Sequence, residues 1–316
     1  MSTVVILESL GISDELLKEK EAPFIAAGHV FRHYERTGDT EKLKEEISGA
    51  DAVILANMPF RDDVISSSDT LKYIDVGFTG VDHIGLKACE TKGIHVSNAS
   101  GYATEGVAEL AVADALNFSR DLLQADQKTR EGKDKKGLRA SELKGKTVGI
   151  VGLGKIGTRT AELFHAFGCT ILSHSRHVHA DAPAYIRQTS LAEVLQDSDY
   201  VILTCPLTEE TRHMISREQF ALMKGSAVLI NTARGAVVDS EALCDAVEQG
   251  TIAGAVLDVF DQEPPLSPEE RILHEKNIIV TPHIGFFTEE AMKIRAEIIF
   301  TNLDQWMKGT IANQVL

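Results

Sequence analysis

The chain has 316 residues, 43% hydrophobic and 25% charged, enough to bury at least one full core and by length two. Its net charge of -15 opposes phosphate backbones across the surface, and no basic run outside Lys133 to Lys136 offsets it, so nucleic-acid binding is disfavoured. No stretch approaches the ~18 uncharged apolar residues of a membrane span, and Met1-Ser2-Thr3 runs into an apolar strand without a basic leader, so no membrane partner and a cytoplasmic location are expected.

Apolar, β-rich runs recur at Val4 to Leu7, Val30-Phe31, Ala52 to Leu55, Tyr73 to Val76 and His95-Val96, separated by helix-like segments such as Asp39 to Ile47. Alternation of this kind predicts an α/β layered domain over the first hundred residues. From Thr104 a helical pattern places Val107, Ala108, Leu110, Ala111, Ala115, Leu116 and Phe118 on an apolar face before the charged stretch from Arg130 to Lys136. Strands are then predicted at Thr147 to Val151, Thr170 to Ser173, Tyr200 to Thr204, Val228 to Asn231, Gly254 to Leu257 and Ile278 to Val280. Six near-continuous apolar runs imply strands buried on both faces, as in a doubly wound parallel sheet. Helices are expected at Ile156 to Phe167, Leu191 to Leu195 and Asp239 to Glu248, the last capped by Asp239 and closed by Gly250. A final helix, Glu289 to Lys308, carries the only tryptophan, Trp306, and should pack back on the first domain.

The run Val148 to Gly157 contains G-x-G-x-x-G at Gly152, Gly154 and Gly157, directly after a strand and before a helix. In that context Gly152 makes the tight turn, Gly154 admits a pyrophosphate to the backbone, and Gly157 brings the helix close to the sheet, with Ala161, Phe164 and Phe167 as its core-facing stripe. An ordinary βα turn has the same glycines, so the motif gains weight only from its neighbours. At the end of the next strand, where a carboxylate would accept the adenosine ribose hydroxyls, the chain has Ser175-Arg176. A hydroxyl donor and a guanidinium suit a 2′-phosphate, with positive potential added by His174, His177 and His179, so NADP is the expected cofactor and NAD the alternative. Arg176 as a solvated loop residue is the competing interpretation. No carboxylate or cysteine completes a zinc spacing around the three histidines, and no metal is expected. The four cysteines, Cys89, Cys169, Cys205 and Cys244, are scattered and read as reduced core thiols.

Three later stretches each place a reactive side chain just after a predicted strand: Arg234 in Asn231 to Gly235, Glu263 in Asp258 to Pro264, and His283 in Thr281 to Gly285. Ligands of open parallel sheets bind beyond the carboxyl ends of the strands, so the three are offered to one site. There Arg234 can hold a carboxylate and polarise a carbonyl, and His283 as imidazolium can donate a proton to the oxygen on which hydride attack builds charge. A carboxylate at hydrogen-bond range, Glu263, favours the charged imidazole. Singly, each also reads as a turn arginine, a loop charge and a structural histidine. Their coincidence at one sheet edge favours the chemical reading.

Together with Pro206-Leu207-Thr208 and Thr211-Arg212, these motifs resemble the D-isomer-specific 2-hydroxyacid dehydrogenase family, over about Asp75 to Glu290, in particular its glyoxylate/hydroxypyruvate reductase-like members. The resemblance implies a Rossmann coenzyme domain, residues 101-286, inserted into a flavodoxin-like substrate domain of residues 1-100 plus 287-316. It implies Arg234, Glu263 and His283 as catalytic residues, and Phe78, Thr79 and Gly80, with Arg234 and His283, around a small 2-keto or D-2-hydroxy acid. The implied coenzyme set is Thr104, Gly152, Gly154, Lys155, Ile156, Gly157, Ser175, Arg176, Cys205, Pro206, Thr211, Thr232, Ala233, Asp258 and Gly285. A homodimer built on the Gly101 to Leu143 segment is implied as well. Phe78, Phe286 and Phe287 depart from the usual pattern and read either as walls for a small or apolar substrate group or as packing residues. Two other readings stay open: a dinucleotide-sensing corepressor-like binding protein, and a formate or phosphite dehydrogenase on the same scaffold.

Overall fold

A computed structural model describes residues 1-262 and 265-316. The chain divides into two compact units, residues 1-103 with 288-316 and residues 104-287. Each is an α/β layer structure around its own parallel sheet.

The first unit runs β1 (Thr3-Ile6), α1 (Asp14-Ala26), β2 (Val30-His33), α2 (Thr40-Glu46), β3 (Ala52-Leu55), α3 (Asp62-Ser67), β4 (Tyr73-Val76), α4 (Leu86-Lys92) and β5 (His95-Asn98), and the chain returns to it as the C-terminal helix. The sheet order is β2-β1-β3-β4-β5, all parallel, the flavodoxin-like arrangement. β3 and β4 are buried along their whole length, which explains why β3 is an unbroken apolar run and why β4 is apolar apart from Asp75. Local signals set the helix starts. Ser13 accepts from the backbone N-H of Leu16 to cap α1, and Asp39 accepts from Glu41 and Lys42 to cap α2.

The second unit contains α5 (Thr104-Arg120), α6 (Leu122-Arg130), β6 (Thr147-Val151), α7 (Lys155-Ala166), β7 (Thr170-His174), β8 (Ile186-Gln188), α8 (Leu191-Asp197), β9 (Tyr200-Leu203), α9 (Arg217-Leu222), β10 (Val228-Asn231), α10 (Ser240-Glu248), β11 (Gly254-Leu257) and β12 (Ile278-Val280). Its sheet order is β12-β11-β10-β9-β6-β7-β8, again all parallel, a Rossmann sheet whose order reverses between β6 and β9. The final helix, α11 (Glu289-Met307), packs on β4 of the first unit and stacks Trp306 on Tyr73 with ring centroids 5.0 Å apart.

Two sequence expectations need correction. The sheet of the second unit has seven strands, because β8 is a three-residue edge strand in which only Ile186 is buried, too short to produce an apolar run. Phe167 does not belong to the buried stripe of α7: it is the C-cap residue and is 43% exposed, while Gly157, Thr160, Ala161 and Phe164 face the core.

A buried polar network joins α11 to the sheet of the first unit. Asn302 donates to Asp75 on β4 and to the carbonyl of Asn98, both at 3.1 Å, and its own oxygen accepts from Asn313 at 2.8 Å. Burial pushes the Asp75 carboxyl well above the usual carboxylate range, and the hydrogen bond from Asn302 opposes that shift. Replacing Asn302 by alanine takes away the donor to the buried Asp75 carboxyl and to the half-buried carbonyl of Asn98, and the expected cost is ~1-3 kcal/mol. Urea unfolding should show a lowered midpoint with an unchanged slope, and an unshifted midpoint would contradict this account of the network.

Candidate active site

The carboxyl edge of the seven-stranded sheet gathers the candidate coenzyme and catalytic residues of the second unit. After β6 the chain turns at Gly152 with φ +103°, a left-handed conformation that glycine adopts without strain. A Cβ there would lie 2.6 Å from the backbone nitrogen of Cys205, so the turn presses on the segment leaving β9, at the point where strand order reverses. A Cβ on Gly157 would lie 2.0 Å from the carbonyl oxygen of Gly152, which forces a hydrogen there and lets α7 start against the turn. A Cβ on Gly154 would meet no heavy atom within 4 Å, so the N-terminus of α7 is open to a ligand. A helix N-terminus with open backbone N-H groups stabilises a pyrophosphate. Lys155 is exposed and Ile156 half-buried at that terminus.

Ser175 and Arg176 follow β7. The Ser175 hydroxyl accepts from the backbone N-H of Leu153 at 2.8 Å, tying the glycine turn to the end of β7. The Arg176 side chain is 70% exposed, donates to His177 at 3.2 Å and stands 3.7 Å from the carboxylate of Glu210. Only His177 of the three nearby histidines is bonded to Arg176 among the described residues. The ring of His174 bonds the carbonyl of Thr189, and the backbone of His179 is clasped by the Gln188 amide. Beyond β9, Cys205 is buried and its thiol is pushed up to about 11, so it stands as an uncharged wall rather than a nucleophile. Thr211 donates to the carbonyl of Pro206 at 2.7 Å and accepts from the N-H of Thr208 at 2.8 Å, so its hydroxyl shapes its own loop.

The loops after β10, β11 and β12 are bound to one another. Buried Asn231 at the end of β10 donates to the carbonyl of Arg234 at 2.9 Å and accepts from the N-H of Ala233 at 3.0 Å, shaping the turn through Thr232 and Ala233. Arg234 leads into a single 3-10 turn, Gly235 to Val237, and a Cβ on Gly235 would meet the carbonyl carbon of Phe260 at 1.9 Å. The arginine turn thus rests on the chain leaving β11. At that exit Asp258, 1% exposed, accepts from the Thr281 hydroxyl at 2.6 Å and from the N-H groups of Ile284 and Gly285 at 2.8 Å each. His283 sits inside this latch with φ +56°, held by a bond from its N-H to the carbonyl of Thr281 at 3.0 Å, with its ring edge-on to Phe286 at 5.1 Å. Arg234, Asp258 and His283 are therefore brought to one edge by three adjacent strands. Glu263, the third expected catalytic residue, lies outside the described residues.

In the first unit, the expected substrate loop leaves the carboxyl end of β4. The Phe78 ring is buried with its centre 6.0 Å from that of Tyr102, while exposed Thr79 has its carbonyl held by Asn98 at 2.7 Å. In the second unit Phe287 is 64% exposed and rests edge-on to Phe286. Thr104, expected in the coenzyme set, is the first residue of α5.

Sequence reasoning missed Asp114. It lies in the buried stripe of α5 with one carboxylate oxygen lacking a hydrogen-bond partner, and burial, then the neighbouring Asp258 charge, pushes its pKa up to about 7. A lone acid among Ala111, Val112 and Ala115 was the available signal.

The comparisons with known proteins agree with this geometry. Residues 112-285 match the family model described as D-isomer specific 2-hydroxyacid dehydrogenase, NAD binding domain. The chain belongs to the D-isomer-specific 2-hydroxyacid dehydrogenase family. It is 38% identical over 280 residues to a glyoxylate reductase of Thermococcus litoralis, covering 85% of this chain and 84% of that protein. It is 36% identical over 285 residues to a D-3-phosphoglycerate dehydrogenase of Methanocaldococcus jannaschii, where the match covers 87% of this chain but 53% of the longer protein. Among solved structures, an acyclic imino acid reductase in complex with NADPH and D-Arg is similar at a TM-score of 0.91 and 25% identity, over 99% of this chain and 100% of that one. The chain is thus of a family of NAD(P)-dependent oxidoreductases acting on hydroxy and keto acids. Among the described residues, no group of three or more His, Cys, Asp or Glu side chains could hold a metal ion, and no helix is long and apolar enough to cross a membrane.

Asp114 generates a pH prediction. In the fold its proton is kept up to about pH 7, whereas the unfolded chain releases it near the usual 3.8, so the native state binds more protons across that window and stability falls as pH rises through it. The loss amounts to at most about 4 kcal/mol, at ~1.4 kcal/mol for each pH unit. Asp114→Asn should therefore gain on the wild type steadily between pH 4 and 7 in thermal or urea unfolding, and parallel stability profiles would count against it.

Proposed function

We propose that this chain is a reductase of small 2-keto acids that uses NADPH in preference to NADH and acts reversibly on D-2-hydroxy acids, with Arg234, Glu263 and His283 as its catalytic residues. The supporting observation is the Asp258 latch, which brings the His283 loop to the strand ends that carry Arg234, on the sheet edge that also holds the glycine turn. When bound, the nicotinamide supplies the hydride. Arg234 holds the substrate carboxylate and polarises the adjacent carbonyl, since a planar guanidinium fork matches a carboxylate with two parallel hydrogen bonds. His283 donates a proton to the carbonyl oxygen as charge develops on it, and takes that proton back in the oxidising direction. The family pattern assigns Glu263 to supporting the imidazolium and the Gly77 to Asp82 loop to carboxylate recognition.

The preference for NADP rests on Ser175 and Arg176, with no carboxylate at the end of β7 to repel a 2′-phosphate. The exposed Arg176-Glu210 pair at 3.7 Å is weak, and a doubly charged phosphate that accepts two parallel hydrogen bonds displaces it readily. Gly152, Gly154, Lys155, Ile156 and Gly157 are assigned to the pyrophosphate. Thr104, Cys205, Pro206, Thr211, Thr232, Ala233, Asp258 and Gly285 are assigned to the remainder of the coenzyme, Thr211 acting by shaping its loop. The domain reading follows the family pattern, with residues 101-286 binding coenzyme and residues 1-100 plus 287-316 binding substrate. A cytoplasmic homodimer completes the proposal. The exposed Leu122 and Leu123 on α6 and Val280 on the edge strand β12 support an interface on that side of the coenzyme unit.

His283→Ala and Arg234→Ala should each lower kcat/KM for glyoxylate or hydroxypyruvate by ~10²-10⁴ while NADPH binding, read by fluorescence, persists. Near-normal turnover in either folded variant would contradict the assignment. In a kinetic matrix of both coenzymes with glyoxylate, hydroxypyruvate, pyruvate and larger 2-keto acids, with and without added amine, kcat/KM should be at least about tenfold higher with NADPH, and Arg176→Ala should erase that margin. A clear NADH preference in the wild type would overturn the coenzyme assignment.

A further inference from the structure

Arg295 lies in the buried stripe of α11 among Ala291, Met292, Ala296 and Ile299, and is 3% exposed. One of its terminal nitrogens donates to the carbonyl of Gly77 at 3.4 Å and the other to the carbonyl of Leu10, and its guanidinium carbon stands 5.7 Å from the centre of the Tyr102 ring. Gly11, at φ +66°, leaves room beside it, since a Cβ there would lie 3.0 Å from the same guanidinium. The loops after β1 and β4 are thus joined by one buried cation. A buried anion makes the matching connection: Glu8 accepts from the N-H groups of Ala56 and Met58 at 2.8 Å each, tying the loop after β1 to the loop after β3, and its other oxygen takes Arg36 at 2.6 Å. Burial lowers the pKa of Arg295, and Tyr102 and Glu8 oppose that shift. A methionine or leucine would fill this stripe without the cost of desolvating a charge, so packing alone does not account for an arginine.

The peptide unit held by Arg295 matters because it opens the proposed substrate loop. The Gly77 carbonyl and the Phe78 N-H belong to one planar trans unit and point to opposite sides, so fixing the first aims the second. Beneath Gly77 there is no slack: a Cβ would lie 2.9 Å from Ile299, and its N-H bonds the carbonyl of Leu55 at 2.7 Å. We propose that Arg295 is a positioning residue for the carboxylate-recognition loop. It holds the peptides of Phe78, Thr79 and Gly80 in the orientation that receives an anionic substrate, and its charge adds positive potential beneath them. This rests on the loop's assignment under the proposed function.

The test compares wild type with Arg295→Met and Arg295→Lys by hydrogen exchange, steady-state kinetics with glyoxylate, and NADPH binding. In Arg295→Met, exchange at residues 78-80 should quicken by about tenfold or more, KM should rise by about tenfold with a smaller change in kcat, and the NADPH dissociation constant should stay within about twofold; Arg295→Lys should recover much of the KM. If Arg295→Met does not fold, Arg295→Gln reads the same quantities with polar donors but no charge. Unchanged exchange at 78-80 in a folded variant overturns the proposal, as does a KM that stays at the wild-type value. Should the wild type itself turn over no 2-keto acid, the catalytic reading fails, while the exchange comparison still decides what Arg295 does.

Discussion

A single buried carboxylate organises the carboxyl edge of the seven-stranded sheet. Asp258 emerges from β11 into a place with almost no solvent contact, and there it gathers one hydroxyl and two backbone N-H donors from the loop after β12. An acid so placed is tolerable only because it is hydrogen-bonded on both oxygens. The arrangement in turn fixes the loop that carries His283, a residue whose left-handed backbone would not persist without support. Glycine at 285 is part of the same construction, since a Cβ there would sit 3.0 Å from the carboxylate. The backbone on either side of His283 is thus set by these neighbours.

The first unit uses charge in a comparable way. Where the coenzyme unit joins loops through Asp258, the first unit joins them through Glu8 and Arg295, again at the carboxyl ends of parallel strands. A parallel sheet buried on both faces leaves its strand ends as the places where backbone groups lack ladder partners. Buried side chains that bond several of those groups convert loose strand exits into defined loops. Binding sites form there because the loops are positioned by the sheet and shaped by these few polar residues.

Much of the fold was legible because the central strands, such as β3, β9 and β11, are apolar over their full length and helices begin at side-chain caps such as Asp39 and Asp239. The seventh strand of the coenzyme sheet was not, since an edge strand of three residues with one buried side chain has no periodicity to detect. Phe167 was misplaced because the helical period was carried one residue past the last turn of α7. At the site, Gly152, Gly157, Arg234 and His283 could be picked out from the strands before them, whereas the partners that hold them could not. Asp114 and Arg295 were marked only by being charged within apolar stripes. Which atoms they meet depends on how the helices pack, and a one-dimensional pattern does not contain that. Phe78 read equally as pocket wall or core, and its contact with Tyr102 likewise depends on packing that the pattern does not contain.

The central claim is that Arg234 and His283 act on one bound substrate beside the coenzyme. A crystal structure of the protein with NADPH and oxamate, a non-reacting analogue of a 2-keto acid, tests it most directly. The account predicts the guanidinium of Arg234 on the oxamate carboxylate, the imidazole of His283 within hydrogen-bond distance of the oxygen that stands for the carbonyl, and Arg176 on the 2′-phosphate. Oxamate bound away from both side chains, with the imidazole facing solvent, would contradict it.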